Sequence, residues 1–206
     1  DEKSQRLKQL TADLVEASKI SSGNVKLDMQ VIDLVELVYQ TSGEFNEKFE
    51  QKELTIVTKL PKTAVLIHAD GRQLYRVIEN LYNNVAKYAL EKTRVYVDIS
   101  YVEEKVVFSI KNVSEHSLAR ENSNAGDLTE RFIRGDSSRT TEGSGLGLSI
   151  AKSLTVLMGG VFDIKVDGDL FKASITFPQY ADGNGSDAGT EDPVSEDDYV
   201  IEESET

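Results

Sequence analysis

Asn80, Asn83, Asn84 and Lys87 stand within eight residues of one another. Asn80, Asn84 and Lys87 are spaced i, i+4, i+7, which on a helix is a single face. Leu74, Val77, Ile78, Leu81 and Val85 fall on an apolar face of the same helix. Asparagine is a poor helix-interior residue, because its amide competes for backbone hydrogen bonds. Three of them in five positions, next to a lysine, point to a site rather than to a merely solvated face. Amide oxygens suit a hard Mg²⁺ that already holds phosphate oxygens. Lys87 adds a compact positive charge for the phosphates themselves.

A second run is Gly143-Ser144-Gly145-Leu146-Gly147. Small residues there let backbone N–H groups approach an anion, and a helix opening at Leu146 would aim its positive end at it. A plain loop-to-helix junction would read the same way. Other glycine signatures are absent. The run is G-x-G-x-G rather than the dinucleotide G-x-G-x-x-G, and no G-x-x-x-x-G-K-[ST] occurs. Ser149 and Lys152 match S-x-x-K by letters only, with no supporting motif.

The elements that must carry these residues can be read from periodicity. Residues 2–20 form an amphipathic helix with Leu7, Leu10, Leu14 and Ala17 in one seam. That seam suits a partner helix. Val25, Leu27, Met29 and Val31 alternate as a strand. Asp33 opens a helix, with Glu36 completing a capping box; Leu34, Leu37, Val38, Phe45 and Phe49 are its buried stripe. Leu54–Leu60 and Ala64–His68 are strands. Asp70 caps the asparagine-bearing helix, with Gln73 reciprocating, and that helix runs to about Ala89. Arg94–Tyr101 and Val106–Lys111 are strands joined by a turn at Glu103-Glu104-Lys105. Residues 112–143 are polar apart from Phe132-Ile133, and a loop that long is functional or disordered. A helix over Leu146–Leu157 ends at Gly159-Gly160. Val161–Val166 and Phe171–Phe177 close the fold around an Asp167-Gly168-Asp169 turn. Strands and helices alternate without a regular βαβ beat, and the last four strands pair as hairpins or near neighbours. The fold class is therefore α+β, a two-layer α/β sandwich with one mixed sheet and helices on one face.

Composition narrows the function. The chain has 206 residues and a formal net charge of −13. Ten of its 36 acids lie in residues 180–206, which carry no Lys or Arg, leaving residues 1–179 nearly neutral. The tail has few apolar residues and one sign of charge, so it is expected to be disordered. A basic nucleic-acid binder and a polybasic membrane-surface binder are excluded as first readings. Without cysteine there is no disulfide framework or thiolate nucleophile, and His68 and His116 are too far apart in sequence to suggest zinc. No apolar run approaches the ~20 residues that span a bilayer. Val31–Tyr39 is broken by Asp33 and Glu36.

Three segments in order then carry a resemblance. Arg76 to Tyr88 resembles the asparagine box of sensor histidine kinases. Glu130-Arg131-Phe132-Ile133-Arg134-Gly135-Asp136 resembles their phenylalanine box. Glu142 to Ile150 resembles their second glycine box. Residues 25–178 are thus similar to the catalytic, ATP-binding domain of that family, which shares its ATPase fold with gyrase, MutL and the ninety-kilodalton heat-shock chaperone. The resemblance implies ATP and Mg²⁺ as ligands, with Asn84 ligating the metal. Asn80 takes the position where hydrolysing relatives keep a glutamate base. Lys87 and Tyr88 contact phosphate and nucleoside. Arg134 lies in the lid near the γ-phosphate, giving Asn80 and Arg134 the catalytic positions. Gly143, Ser144, Gly145, Leu146 and Gly147 cradle phosphate, and residues 112–143 form a mobile ATP lid.

The first glycine box departs from the family pattern. Where the family has Asp-x-Gly-x-Gly, this chain has Asn112-Val113-Ser114-Glu115-His116. Asn112 takes the place of the adenine-reading Asp, and its amide can turn over to offer oxygen to adenine or nitrogen to guanine O6. Neither histidine has the family's phosphoacceptor setting. Residues 1–22 resemble the end of the second helix of the dimerisation and phosphoacceptor hairpin, residues 23–179 the catalytic domain, and residues 180–206 a tail. The implied protein is a protein-histidine kinase fragment that transfers the γ-phosphate to a histidine absent from this chain. The implied partners are its own hairpin in a homodimer and a response regulator. The parent would be anchored in the membrane with this domain in the cytoplasm. The alternatives are a degenerate nucleotide-binding docking module and an ATP-hydrolysing or serine-phosphorylating relative.

Overall fold

The computed structural model describes residues 2–21, 25–115 and 146–180. Helix α1 spans Glu2–Ser21, strand β1 Gln30–Asp33, helix α2 Leu34–Glu50, strand β2 Thr55–Lys59 and strand β3 Leu66–Ala69. Helix α3 follows at Gly71–Tyr88, then strands β4 (Arg94–Val102) and β5 (Lys105–Val113). Helix α4 spans Gly147–Leu157, and strands β6 (Val161–Asp167) and β7 (Leu170–Pro178) complete the fold.

The main sheet has the order β2-β4-β5-β7-β6. β2 runs parallel to β4, and every other neighbouring pair is antiparallel. β4 with β5 and β6 with β7 are the two expected hairpins, with Glu103 (φ 55°) and Gly168 (φ 60°) at their turns. Strands β4, β6 and β7 bury alternate residues, and β5 does so with Ser109 buried in addition. Val95, Val97 and Ile99 of β4, Phe108 and Ile110 of β5, and Phe171, Ala173, Ile175 and Phe177 of β7 are all within the core. Residues between them, such as Tyr96 and Lys172, face the other way. A sheet buried on one face needs a covering layer, which α2, α3 and α4 supply. Leu34, Val38, Phe45 and Phe49 of α2 and Leu74, Val77, Ile78, Leu81 and Val85 of α3 are fully or nearly fully buried, each burial contributing about 1.5–3 kcal/mol.

Several expectations need correction. A second, two-stranded sheet pairs β1 with β3 antiparallel, so the fold is not built on one sheet alone. Of the alternating run Val25–Val31, only Gln30 and Val31 enter a strand. Leu27 and Met29 pack on the core from extended chain. Alternation reports an extended backbone, and hydrogen-bonded pairing is a separate condition. β3 begins at Leu66 rather than Ala64, because the Val65 N–H is taken by the Asp33 carboxylate at 3.1 Å. Asp33 also accepts from Val35 N–H at 3.0 Å, which makes it a two-sided cap without Glu36. The α3 cap is likewise half of the expected box. Asp70 accepts from Gln73 N–H at 3.0 Å, but the Gln73 side-chain oxygen is buried without a partner.

Helix α1 leaves Leu7 and Leu14 about two-thirds exposed, while Ile20 at its end packs on the core. Among the described residues, no helix is long and apolar enough to cross a membrane.

Candidate functional site

The site is built where α3 and α4 pack against each other. The apolar stripe of α3 fixes its rotation, so Asn80, Asn84 and Lys87 must emerge on the opposite flank. All three are half-buried. Asn83 is exposed and turned toward α2, where its side-chain oxygen accepts from Lys48 Nζ at 3.1 Å. Only two of the three asparagines therefore share the flank of Lys87.

Gly147 opens α4 directly against Asn80. A Cβ at Gly147 would lie 3.1 Å from the Asn80 side-chain oxygen, so a side chain there would crowd it. The preceding residue, Leu146, provides no side-chain cap, and the first turn of α4 carries no acid. The only polar side chain of that turn, Ser149, bonds back to Leu146 C=O at 2.7 Å. Helices α2 and α3 both begin under a carboxylate, whereas among the described residues none caps the positive end of α4. At its far end α4 stops at Gly159 (φ 83°), and Gly160 is obligatory because a Cβ would sit 2.7 Å from the Phe177 ring.

The C-terminal end of α3 is held from two sides. Lys52 Nζ, from the turn after α2, donates to Lys87 C=O at 2.9 Å and Ala89 C=O at 3.4 Å, placing a cation on the negative end of the helix. From the sheet side, Leu90 N–H donates to Val113 C=O and Glu115 N–H to Tyr88 C=O, both at 2.9 Å. Lys87 and Tyr88 are thereby fixed beside the end of β5, with Lys87 Nζ 4.7 Å from the Tyr88 ring centre. Lys52 carries no motif; its role depends on a contact 35 residues away. Tyr82, inside the asparagine segment, also turned out structural. It is fully buried, stacks 6.0 Å from Phe49, and pairs its hydroxyl with Ser42 at 2.7 Å. Burial pushes that hydroxyl up to about 12, against a smaller opposing effect of Ser42, so it stays protonated.

Asn112 ends the inward row of β5 and is 2% exposed. Its Nδ2 donates to Val113 C=O at 2.9 Å, and its Oδ1 is buried without a partner. Arg134, Gly143, Ser144 and Gly145, with the rest of the lid and the tail beyond residue 180, lie outside the described residues. The described part thus sets Gly147 at the start of α4 against Asn80, carries Asn84, Lys87 and Tyr88 further along α3, and ties the end of α3 to the end of β5, where Asn112 lies. An uncapped helix start fits phosphate, and an orphan acceptor fits an amino group.

Residues 69–190 match the family of histidine kinase-, DNA gyrase B- and HSP90-like ATPases, over half of the chain. The chain belongs to that ATPase family. Within it, the similar proteins are sensor kinases. The alginate biosynthesis sensor protein KinB of Pseudomonas aeruginosa is 28% identical over 160 residues, covering 78% of this chain and 26% of KinB. The sensor histidine kinase WalK of Bacillus subtilis (strain 168) is 25% identical over 177 residues, covering 84% of this chain and 29% of WalK. This chain spans under a third of either relative. Among solved structures, the histidine kinase AdeS of Acinetobacter baumannii superposes with a TM-score of 0.67 at 18% identity, over 85% of this chain and 79% of that one. Full-length ShkA in complex with AMPPNP gives 0.72 at 22%, over 88% of this chain and 38% of that one. The ATPase fold is therefore of the histidine kinase type, and ATP is the ligand that the family membership assigns to it.

Proposed function

We propose that this chain is the catalytic domain of a two-component sensor histidine kinase. It binds Mg²⁺-ATP and presents the γ-phosphate to a histidine on the hairpin of its own parent, for relay to a response regulator. The observation that carries this reading is the meeting of Asn80 with an uncapped α4 at Gly147. It sets an amide oxygen beside helix-end N–H groups, a combination that suits a metal-bound triphosphate.

Asn84 would hold Mg²⁺, which when bound neutralises charge on the phosphates being cleaved. Lys87 supplies a point charge to the phosphates, Tyr88 a surface for the nucleoside, and Gly143, Ser144, Gly145, Leu146 and Gly147 the backbone donors. Arg134 would meet the γ-phosphate from the lid. Asn80 is neutral where a carboxylate would activate water, so the site orients phosphate without promoting its hydrolysis. Exposure of Leu7 and Leu14 supports α1 as part of a dimerising hairpin. The parent is read as a membrane-anchored homodimer with this domain on the cytoplasmic side.

The test combines the chain, the parent's separately produced hairpin and Mg²⁺-ATP. Acid-labile phosphate should appear on the hairpin histidine and not on His68 or His116. Asn84→Ala should lower both labelling and Mg²⁺-dependent ATP affinity, the latter by about 1–3 kcal/mol for a charge-assisted contact. Label on either histidine of this chain contradicts the assignment. Nucleotide binding with no transfer favours a docking module.

A further inference from the structure

The main sheet has a second face, turned away from α2, α3 and α4. Tyr96 of β4, Lys111 of β5, Lys172 of β7 and Lys165 of β6 stand in one row across it, each directly opposite the next. Like charges directly opposite one another across a ladder are destabilising. Among the described residues none of these lysines has a carboxylate partner, and Lys111 Nζ lies 5.6 Å from the Tyr96 ring centre. A lysine on an edge strand discourages pairing with another chain, which accounts for Lys165 on β6. It does not account for Lys111 and Lys172, which lie on interior strands and are half-buried. Asp98, Asp163 and Asp167 also face outward in neighbouring rows, but Lys59, Arg94 and Lys105 on the same face match them in number. The lysine row is left as a surplus of positive charge on a chain of net charge −13. In the next row Leu170 is 48% exposed.

We propose that this face docks the acidic tail of the same chain, through the segment Asp197–Glu203. That segment reads Asp-Asp-Tyr-Val-Ile-Glu-Glu. Its carboxylates flank the only three consecutive apolar residues beyond residue 180, which suits a lysine row bordered by Tyr96 and Leu170. The tail holds no Lys or Arg, so nothing within it competes for those carboxylates. The lengths agree as well. β7 ends at Pro178, and Lys172 lies six residues back along it, about 20 Å. Asp197 follows Tyr180 by 17 positions, with Gly183, Gly185 and Gly189 between them. A glycine-rich chain of that length has a root-mean-square span of about 20–25 Å. A tether whose span matches the distance gives the highest effective concentration, so weak pairing suffices. Each carboxylate brought to the row offsets the repulsion between the lysines. The sheet then stands between the docked carboxylates and the helices α3 and α4.

The chain has no cysteine, so Ser195→Cys gives a single attachment point for a nitroxide spin label. Amide NMR of the isotope-labelled full chain then reads which surface the tail visits. At about 0.01 M salt, where screening is weak, the Lys111, Lys165 and Lys172 amides should lose about half of their intensity or more relative to the reduced label. The Leu81 and Val85 amides in the helix layer should be unaffected. The loss should disappear at about 1 M salt, where the screening length is ~3 Å. Lys165→Gln combined with Lys172→Gln should cut it roughly twofold, because less positive charge is left to attract the segment. Absence of broadening, broadening spread evenly over both faces, or its persistence at high salt overturns the proposal. A mixture of spin-labelled, unenriched chain with isotope-labelled native chain separates the two possible sources of the segment. Little broadening in the mixture is expected; equal broadening means that a second copy supplies the segment and contradicts the assignment. The salt series and the mixture keep the native sheet and need no lysine variant to fold.

Discussion

Helices α3 and α4 begin in opposite ways. The first turn of α3 is closed by Asp70, whose carboxylate accepts from Gln73 N–H at 3.0 Å and from Asp28 N–H at 2.9 Å. Burial alone would push that carboxyl up. The N–H groups of Asp28, Gln73 and Arg72, with the Arg72 guanidinium, outweigh it and hold the group below its ordinary value. The first turn of α4 has no side-chain cap and no acid, and it begins with a glycine pressed against Asn80. Both helices bury an apolar stripe in the same core, so packing does not require this difference. A helix start whose donors are satisfied internally serves the fold, and one left to an outside anion serves a ligand. In the proposed site, α3 accordingly contributes its flank and its far end, and α4 contributes its beginning.

The most disruptive way to break the contrast is to give α4 a charge like that of α3. Ser149→Glu puts a carboxylate in the first turn, where the helix dipole favours it. We expect an unchanged or raised melting temperature together with a loss of Mg²⁺-ATP affinity of about tenfold or more, ~1.4 kcal/mol, relative to Ser149→Gln. The gap between the two variants should narrow as salt rises. The reverse substitution, Asp70→Ala, should cost about 1 kcal/mol of stability and leave ATP affinity unaltered. Thermal melts against pH sharpen that expectation. Because the Asp70 carboxyl is depressed on folding, its contribution is complete above the unfolded value near 3.8 and fades as pH falls toward the folded one. The native and Asp70→Ala melting curves should therefore converge in acid.

Much of this contrast was legible in the sequence, and the exceptions have physical reasons. The apolar stripe of α3 and its cap at Asp70 are local, set by helical spacing and by one short side chain. The same holds for the α4 start at Leu146-Gly147. Parallel pairing of β2 with β4 was not legible, because it joins segments that no short turn connects. Nor was the β1–β3 sheet, since four paired residues leave no more signal than the extended chain before them. Tyr82 carries little core signal beside its asparagine neighbours, although its position one turn from Ile78 places it at the buried edge of α3. The hydrogen bond from Asn112 Nδ2 depends on which way the Val113 carbonyl points, which is decided by its bond to Leu90. Lys52 reaches the end of α3 for a similarly tertiary reason.

The central claim is that the beginning of α4, and not that of α3, receives the triphosphate. Backbone amide NMR during a Mg²⁺-ATP titration tests it at both places at once. The account predicts saturable shifts of the Gly147 and Leu148 amides, with the Arg72 and Gln73 amides unmoved. Saturation with Gly147 and Leu148 unmoved, or with the start of α3 shifting in their place, would contradict it.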